Sequence, residues 1–283
     1  MKQPKRLFLF AGYDKQCVID DALVHYVSNL ARFGDVVLYM DCNAKQSEIN
    51  KIKKYCLYVN ATRHAEYDFG SYKRAYIWAR DNGVLNDYDV VYLVNDSVFG
   101  PLQNIKKTLN DLESIKSDAA GLVVSQHRTH SYMESWFVRL NRAVFLSKWF
   151  DNFMSGITQE SSKTDITIKY EHGLSNLIKQ NGCSWDGVYK IKGRYTYNHP
   201  KSLFLRGCPF VKKMSFTRHN GAVGNQIKYI LMHANANAAR AIKKSVIRIY
   251  GEKYMNWLLT YNPFKIILRN ITYATRKITG DKK

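Results

Sequence analysis

The stretch YDVVYLVNDSVFGPL, residues 88–102, runs from an unbroken apolar segment, Val90 to Val94, straight into Asn95, Asp96 and Ser97. The turn residues Gly100 and Pro101 follow at once. An amide, a carboxylate and a hydroxyl at the end of a buried strand are polar groups delivered where a ligand could sit. Two earlier apolar runs end in the same manner, one in Tyr13 and Asp14, the other in Asp41. A further carboxylate, Glu171, opens KYEHGLSNLIKQNG, where Leu174, Leu177 and Ile178 form a helical stripe. At a helix start the macrodipole favours an ionised carboxylate; His172 is its neighbour. Lys73 and Arg74, just after Asp68-Phe69-Gly70, are a pair of adjacent cations. Plainer readings stand beside these: Asx residues make local turns, and a basic pair on a helix is commonly a solvated face.

The elements that would carry these groups alternate. Arg6–Gly12, 35–40 and 89–94 read as buried strands, AAGLVVS (119–125) as another, and LYVNAT (57–62) as a shorter one. Helical spacing is expected over 18–34, closed by Gly34, and over a short basic helix at 47–56. SYKRAYIWARDNG (71–83) is expected as a helix opened by the Asp-Phe-Gly turn and closed by Gly83, and IKKTLNDLESI (105–115) as an amphipathic helix. Strand–helix alternation argues for a mostly parallel sheet covered by helices on both sides. In such a sheet ligands sit outside the strand C-termini, which is where Tyr13, Asp14, Asp41, Asn95 and Asp96 fall.

The chain has 283 residues, of which 46% are hydrophobic, with 20 Tyr and 13 Phe, so a sizeable core is available. Its net charge of +20 favours polyanions: nucleic acid, an anionic membrane face or phosphorylated substrates. Five scattered cysteines, without zinc spacing, read as reduced thiols. The apolar run at the N-terminus is too short for a signal peptide, and no window suits a membrane span, so a cytoplasmic protein is expected. Residues 240–283 change in texture, with eleven Lys/Arg against Glu252 and Asp281, a net +9. Phe264, Ile267, Leu268, Ile271, Thr275 and Ile278 share one helical face, after the helix-start pair Asn262-Pro263, while Lys265, Arg269, Arg276 and Lys277 lie elsewhere. That is the pattern of an interfacial helix drawn to anionic lipid; a helix packed on the domain with a solvated basic face is the other reading.

AGYDKQCVIDDALVHYVSNL with VVLYMD, YDFGSYKRA, YLVNDSVFGPL, YMESWFVRLNRAVF, YEHGLSNLIKQNG and HPKSLFLRGCPFVKK occur in this order over about residues 5–215. Together they resemble nucleotide-sugar glycosyltransferases of the GT-A type, and in detail the rhamnan synthesis protein F family. The resemblance implies a GT-A-like, Rossmann-like α/β domain over 1–239, its donor half about 1–125 and its acceptor half about 126–239, with 240–283 as a basic helical tail. It implies an inverting transferase that moves a sugar, foremost L-rhamnose from dTDP-rhamnose, to a lipid-linked polysaccharide such as O-antigen or a cell-wall glycan. Glu171 then matches the base that takes the acceptor's proton. Tyr13, Asp14, Asp41, Asp68, Gly70, Lys73, Arg74, Asn95, Asp96 and Ser97 face the donor. His130, Glu134, Ser135 and His172 fall on the acceptor side, and Lys212, His199 and His219 are phosphate or late metal candidates. Asn95-Asp96-Ser97 stands where the pattern has D-x-D. Asp96 is therefore the one carboxylate for Mg²⁺ or Mn²⁺, and Lys73 and Arg74 are the alternative counter-charge. The implied partners are a nucleotide sugar, a lipid-linked acceptor, an anionic membrane touched through 240–283 and other polysaccharide-assembly enzymes. The implied location is the inner face of a bacterial plasma membrane. Another nucleotide hexose as donor, and a non-catalytic glycan- or nucleic-acid-binding protein, are the competing readings; no nucleic-acid module is visible, so nucleic acid is not expected as a partner.

Overall fold

Parallel strands covered on both faces need apolar side chains at nearly every position, and the first 126 residues supply such runs four times. In the computed structural model, which describes residues 3–128, 130–217 and 222–279, they form β1 (Arg6–Gly12), β2 (Asp35–Met40), β4 (Val90–Asn95) and β6 (Ala119–Gln126). Between them lie α1 (Asp21–Leu30), α2 (Gln46–Ile52), β3 (Tyr58–Ala61), α3 (Tyr67–Asp81), the two-residue β5 (Val98–Phe99) and α4 (Lys106–Ser114). Then follow β7 (Ser131–Met133), β8 (Phe137–Asn141), α5 (Arg142–Phe145), α6 (Lys148–Ser155), α7 (Lys163–Ile166), α8 (Gly173–Gln180) and β9 (Trp185–Lys192). The last part holds α9 (Tyr195–Asn198), α10 (Pro200–Leu205), β10 (Val211–Lys212), α11 (Gly224–His233), α12 (Ala236–Tyr250), α13 (Glu252–Leu258) and α14 (Pro263–Thr279).

The main sheet has the order β3-β2-β1-β4-β8-β6-β7, with β9 also on β6. β1, β2, β3 and β4 are mutually parallel, as are β6 and β9, while β8 runs antiparallel to both β4 and β6. The expectation of a mostly parallel sheet flanked by helices holds. β2 and β3 extend to one side of β1 and β4 to the other, so the order reverses there, the place where open α/β sheets form a ligand crevice. The register Ala11 to Asn95 levels the two strand ends, and the Asp96 N–H donates to the Ala11 carbonyl at 3.1 Å.

Three local expectations need correction. α1 begins at Asp21, not near Val18. The Asp14 carboxylate accepts from the backbone N–H of Gln16 and Val18 and turns the chain, and Asp20 caps the helix by accepting from Ala22 and Leu23. The Asp-Phe-Gly segment is not a turn before α3 but its first turn. Glu171 does not sit at a helix start. Its helix runs from Lys163 through Gln180, with a π-helical stretch at Thr167–His172 that widens the ladder by one residue. The macrodipole therefore has no free N-terminal N–H groups to offer this carboxylate.

By contacts the chain divides into two units. The first, residues 1–19, 26–96 and 105–193, holds the main sheet. Its core includes Leu9, Leu93, Val138 and Phe150, with Phe69 of α3 ringed by Tyr72, Phe153 and Tyr170. The second, residues 20–25, 97–104 and 194–283, is mostly helical and holds the β5–β10 pair. Phe99, Phe216, Ile227, Ile242, Val246 and Leu258 fill its interior.

Candidate active site at the end of the central strand

The loop before α3 is built around Asp41. This buried carboxylate accepts from the backbone N–H of His64 at 2.7 Å and Ala65 at 2.9 Å, and it pairs with Arg63 at 2.6 Å. Arg63 in turn lies over the ring of Tyr13. The His64 ring is buried: its Nδ1 accepts from the Glu66 N–H and its Nε2–H donates to Ser71 Oγ. Burial, reinforced by the nearby Arg74, lowers the His64 pKa to about 4, so the imidazole is neutral at pH 7. Gly70 lets this loop approach α3, because a Cβ there would lie 2.3 Å from Glu66 Cβ and 2.8 Å from His64 Cε1. Ala65 and Tyr67 both take positive φ, a strained conformation that side chains rarely adopt.

Past the loop, the groups form a connected chain within the first unit. The Asn95 amide donates to Asp68 Oδ2 at 3.1 Å. Asn95 also hydrogen-bonds the Tyr72 hydroxyl, whose pKa burial pushes well up, so it stays protonated. The Tyr72 O–H donates to the Ser135 carbonyl at 2.8 Å. Ser135 then gives both its backbone N–H (2.6 Å) and its Oγ–H (2.7 Å) to Glu171 Oε1. Two donors on one oxygen fix the carboxylate in place. Asp68, Asn95, Ser135 and Glu171 are thus brought together, with Asp96 next to Asn95 at the strand end. Tyr72 was missed from the sequence. Its signal, a Tyr one helical turn beyond Asp68, looks like ordinary core spacing.

The remaining candidates are distributed otherwise. Arg74 is held by Glu66 at 2.7 Å, which keeps that carboxyl below its ordinary pKa despite burial. Lys73 donates to the Ile157 carbonyl at 2.7 Å. Glu134 is interior, accepting from Ser125 Oγ and Trp136 Nε1. His130 and His172 belong to a ring cluster with His127 and Tyr132, and the Tyr132 and His172 centroids are 3.8 Å apart. Burial, then the charges of His130 and His127, lower the pKa of His172. In the second unit the Lys212 ammonium donates to Ser97 Oγ at 3.3 Å and lies near the Tyr197 ring. His199 lies against the Tyr195 ring at a tilt, just ahead of α10. His219 lies outside the described residues.

Among the described residues no three His, Cys, Asp or Glu side chains converge as a metal-binding group. Mg²⁺ held against a substrate's phosphates needs only one or two protein carboxylates, and Asp96 is such a carboxylate at the strand end.

The family model for rhamnan synthesis protein F matches residues 21–279. The chain belongs to the rhamnan synthesis protein F family. That membership supports a glycosyltransferase-type enzyme. No curated protein matches in sequence. Among solved structures, a protein described as a nucleotide-diphospho-sugar transferase from Desulfovibrio desulfuricans superposes with a TM-score of 0.41 at 16% identity, covering 88% of this chain and 99% of that one. A nucleoside-diphosphate-sugar pyrophosphorylase from Vibrio cholerae gives 0.40 at 14% identity, covering 66% and 92%. A glycosyltransferase that acts in glycosylation of the major capsid of PBCV-1 gives 0.39 at 10% identity, covering 74% and 93%.

Proposed function

We propose that this rhamnan synthesis protein F family member is an inverting glycosyltransferase, with Glu171 as the general base and the Asp68–Asn95–Asp96 strand end as the seat of a nucleotide-sugar donor. The single observation that supports this reading most is the Ser135 clamp on Glu171, linked through Tyr72 to Asn95. A carboxylate fixed by two donors, one hydrogen-bonded network away from a strand-end Asn-Asp pair, can serve an acceptor hydroxyl while a diphosphate departs.

In the reaction the acceptor hydroxyl's proton passes to Glu171 as its oxygen bonds to the anomeric carbon. The bond from that carbon to the diphosphate oxygen breaks on the opposite side, and the nucleoside diphosphate leaves with the electron pair. Attack from the face opposite the leaving group inverts the centre, so a β-linked donor gives an α-linkage. Asp96 would hold Mg²⁺ or Mn²⁺ against the diphosphate, where the ion neutralises the charge developing on the leaving group.

The donor in this proposal is dTDP-L-rhamnose, on the strength of the family's name, and the acceptor is a lipid-linked glycan of O-antigen or cell-wall type. Work on such an acceptor puts the enzyme at the inner face of the bacterial plasma membrane. The test is a panel of nucleotide sugars, with and without Mn²⁺, read first by thermal stabilisation of the purified chain and then by transfer. Stabilisation by dTDP-rhamnose, with transfer lost in Asp96→Ala and Glu171→Ala proteins that still fold, is the expected result. Full activity in Glu171→Ala removes the base assignment. Stabilisation by a different nucleotide hexose moves the donor and leaves the mechanism in place.

A further inference from the structure

α14 is mounted with Arg269 inward and an apolar stripe outward. Arg269, in its middle, is 1% exposed. Its guanidinium donates to the Leu258 carbonyl and to Asn225 Oδ1. Gly224, the first residue of α11, makes the room: a Cβ there would lie 2.5 Å from Arg269 Nη1. Meanwhile Phe264, Ile267, Leu268 and Ile271 are 80%, 57%, 60% and 54% exposed. Their spacing, i, i+3, i+4, i+7, makes one stripe, and at about 100° per residue Arg269 lies roughly 150° from its centre. Tyr261, whose hydroxyl meets the exposed Met232 sulfur, extends the apolar surface beyond the helix start.

A soluble helix normally buries its apolar stripe and solvates its arginines. Here the arginine is the anchor that fixes the helix's rotation, and the stripe is what it presents. We infer that this outward face of α14 is a docking surface for an anionic lipid bilayer, with the helix lying in the plane of the headgroups. Charge selects this occupant: the final 44 residues carry a net +9, and Lys265 beside the stripe is exposed. An exposed apolar face in a strongly basic segment matches anionic headgroups over acyl chains. A second copy of the chain would bring the same positive charge to the contact. Spanning is not the mode, since no helix among the described residues is long and apolar enough to cross a membrane. The inference deepens the proposed function by naming the surface that would hold the enzyme beside a lipid-linked acceptor; the docking itself is measured without any catalysis.

The experiment is co-sedimentation of the full chain with vesicles of phosphatidylglycerol and phosphatidylethanolamine, against vesicles of phosphatidylcholine alone. Two variants are compared: Ile267→Ser/Leu268→Ser, and Leu205→Ser, which removes an equally exposed leucine outside α14. The expected result is binding to anionic vesicles, about tenfold or more weaker in the double variant and on neutral vesicles, with wild-type binding for Leu205→Ser and unchanged circular dichroism. Wild-type binding by the double variant overturns the inference, as does no vesicle binding by the full chain. A full chain that is dimeric without lipid, and becomes monomeric in the double variant, overturns it in favour of a second copy. Transfer to a lipid-free acceptor is followed in parallel: its loss in every protein counts against the transferase reading, while its survival in the double variant leaves that reading standing.

Discussion

Acidification is expected to cost the fold stability at the loop that leads into α3, and His64 is the reason. Its ring is buried and neutral, with Nδ1 accepting from the Glu66 N–H and Nε2–H donating to Ser71. Protonation would destroy the first bond and place a cation near Arg74 and Arg63, against which Asp41 and Glu66 give only partial compensation. The folded state therefore takes up the proton only near pH 4, whereas an unfolded chain does so near 6.5. Above pH 6.5 both states are neutral and the full stability is present. As the pH falls from 6.5 towards 4 the unfolded chain binds the proton and the folded one does not, so stability declines with acid. At about 1.4 kcal/mol per pH unit the total loss is on the order of 3 kcal/mol. His172, also lowered, adds to the same window. Urea unfolding at pH 7, 6, 5 and 4.5 reads this slope directly. His64→Gln, which cannot gain a proton, should be less stable than the parent at pH 7 through the lost Glu66 bond, yet fall less steeply with pH. A parallel decline of the two proteins from pH 6.5 to 4.5 would refute the neutral, buried assignment and the loop architecture drawn from it.

Glu171→Gln preserves the shape of the side chain and its contact with Ser135 but removes the base; sugar transfer is expected to fall about 10²–10⁴-fold with the melting temperature nearly unchanged. Ser135→Ala removes one of two hydrogen bonds to that carboxylate, each worth about 1.5–3 kcal/mol to a charged acceptor. It should lower kcat/KM roughly tenfold to a hundredfold while donor-induced stabilisation persists, and Ser135→Thr should recover most of the loss. Gly70→Ala gains about 1 kcal/mol of helix propensity but collides with Glu66 and His64, so a net destabilisation of about 1–3 kcal/mol is expected in urea titrations.

The parts of this molecule that were legible in the sequence are those whose physics is one-dimensional. β1, β2, β4 and β6 are covered on both faces, so each shows as a plain apolar run, and a polar residue at its end marks the rim wherever the strand lies in space. That is why Asn95 and Asp96 stood out. β7 and β8 did not: three and five residues long, they owe their pairing to β6 and β4 rather than to their own pattern. The same gap hid Tyr72, whose importance depends on Ser135 arriving from the far side of β8.

Glu171 shows the limit most sharply, because its predicted role and its expected cause separate. The carboxylate was picked out because it precedes an apolar helical stripe, and a helix start would have supplied N–H groups to hold its charge. The helix instead begins eight residues earlier at Lys163, and the stripe at Leu174 continues it through a π-helical turn. A one-residue widening shifts the hydrophobic stripe by about 100°, and in a sequence that offset reads as the beginning of a new helix. The charge is held from outside, by Ser135 N–H and Oγ–H. Ser135 lies just before β8, which is registered on β4, and Glu171 lies within the π-helical stretch. The fixing of the proposed base therefore depends on sheet register and a helix defect together, and deleting one residue from Thr167–His172 to restore a regular α-helix should uncouple Glu171 from Ser135 while leaving the core of α8 intact.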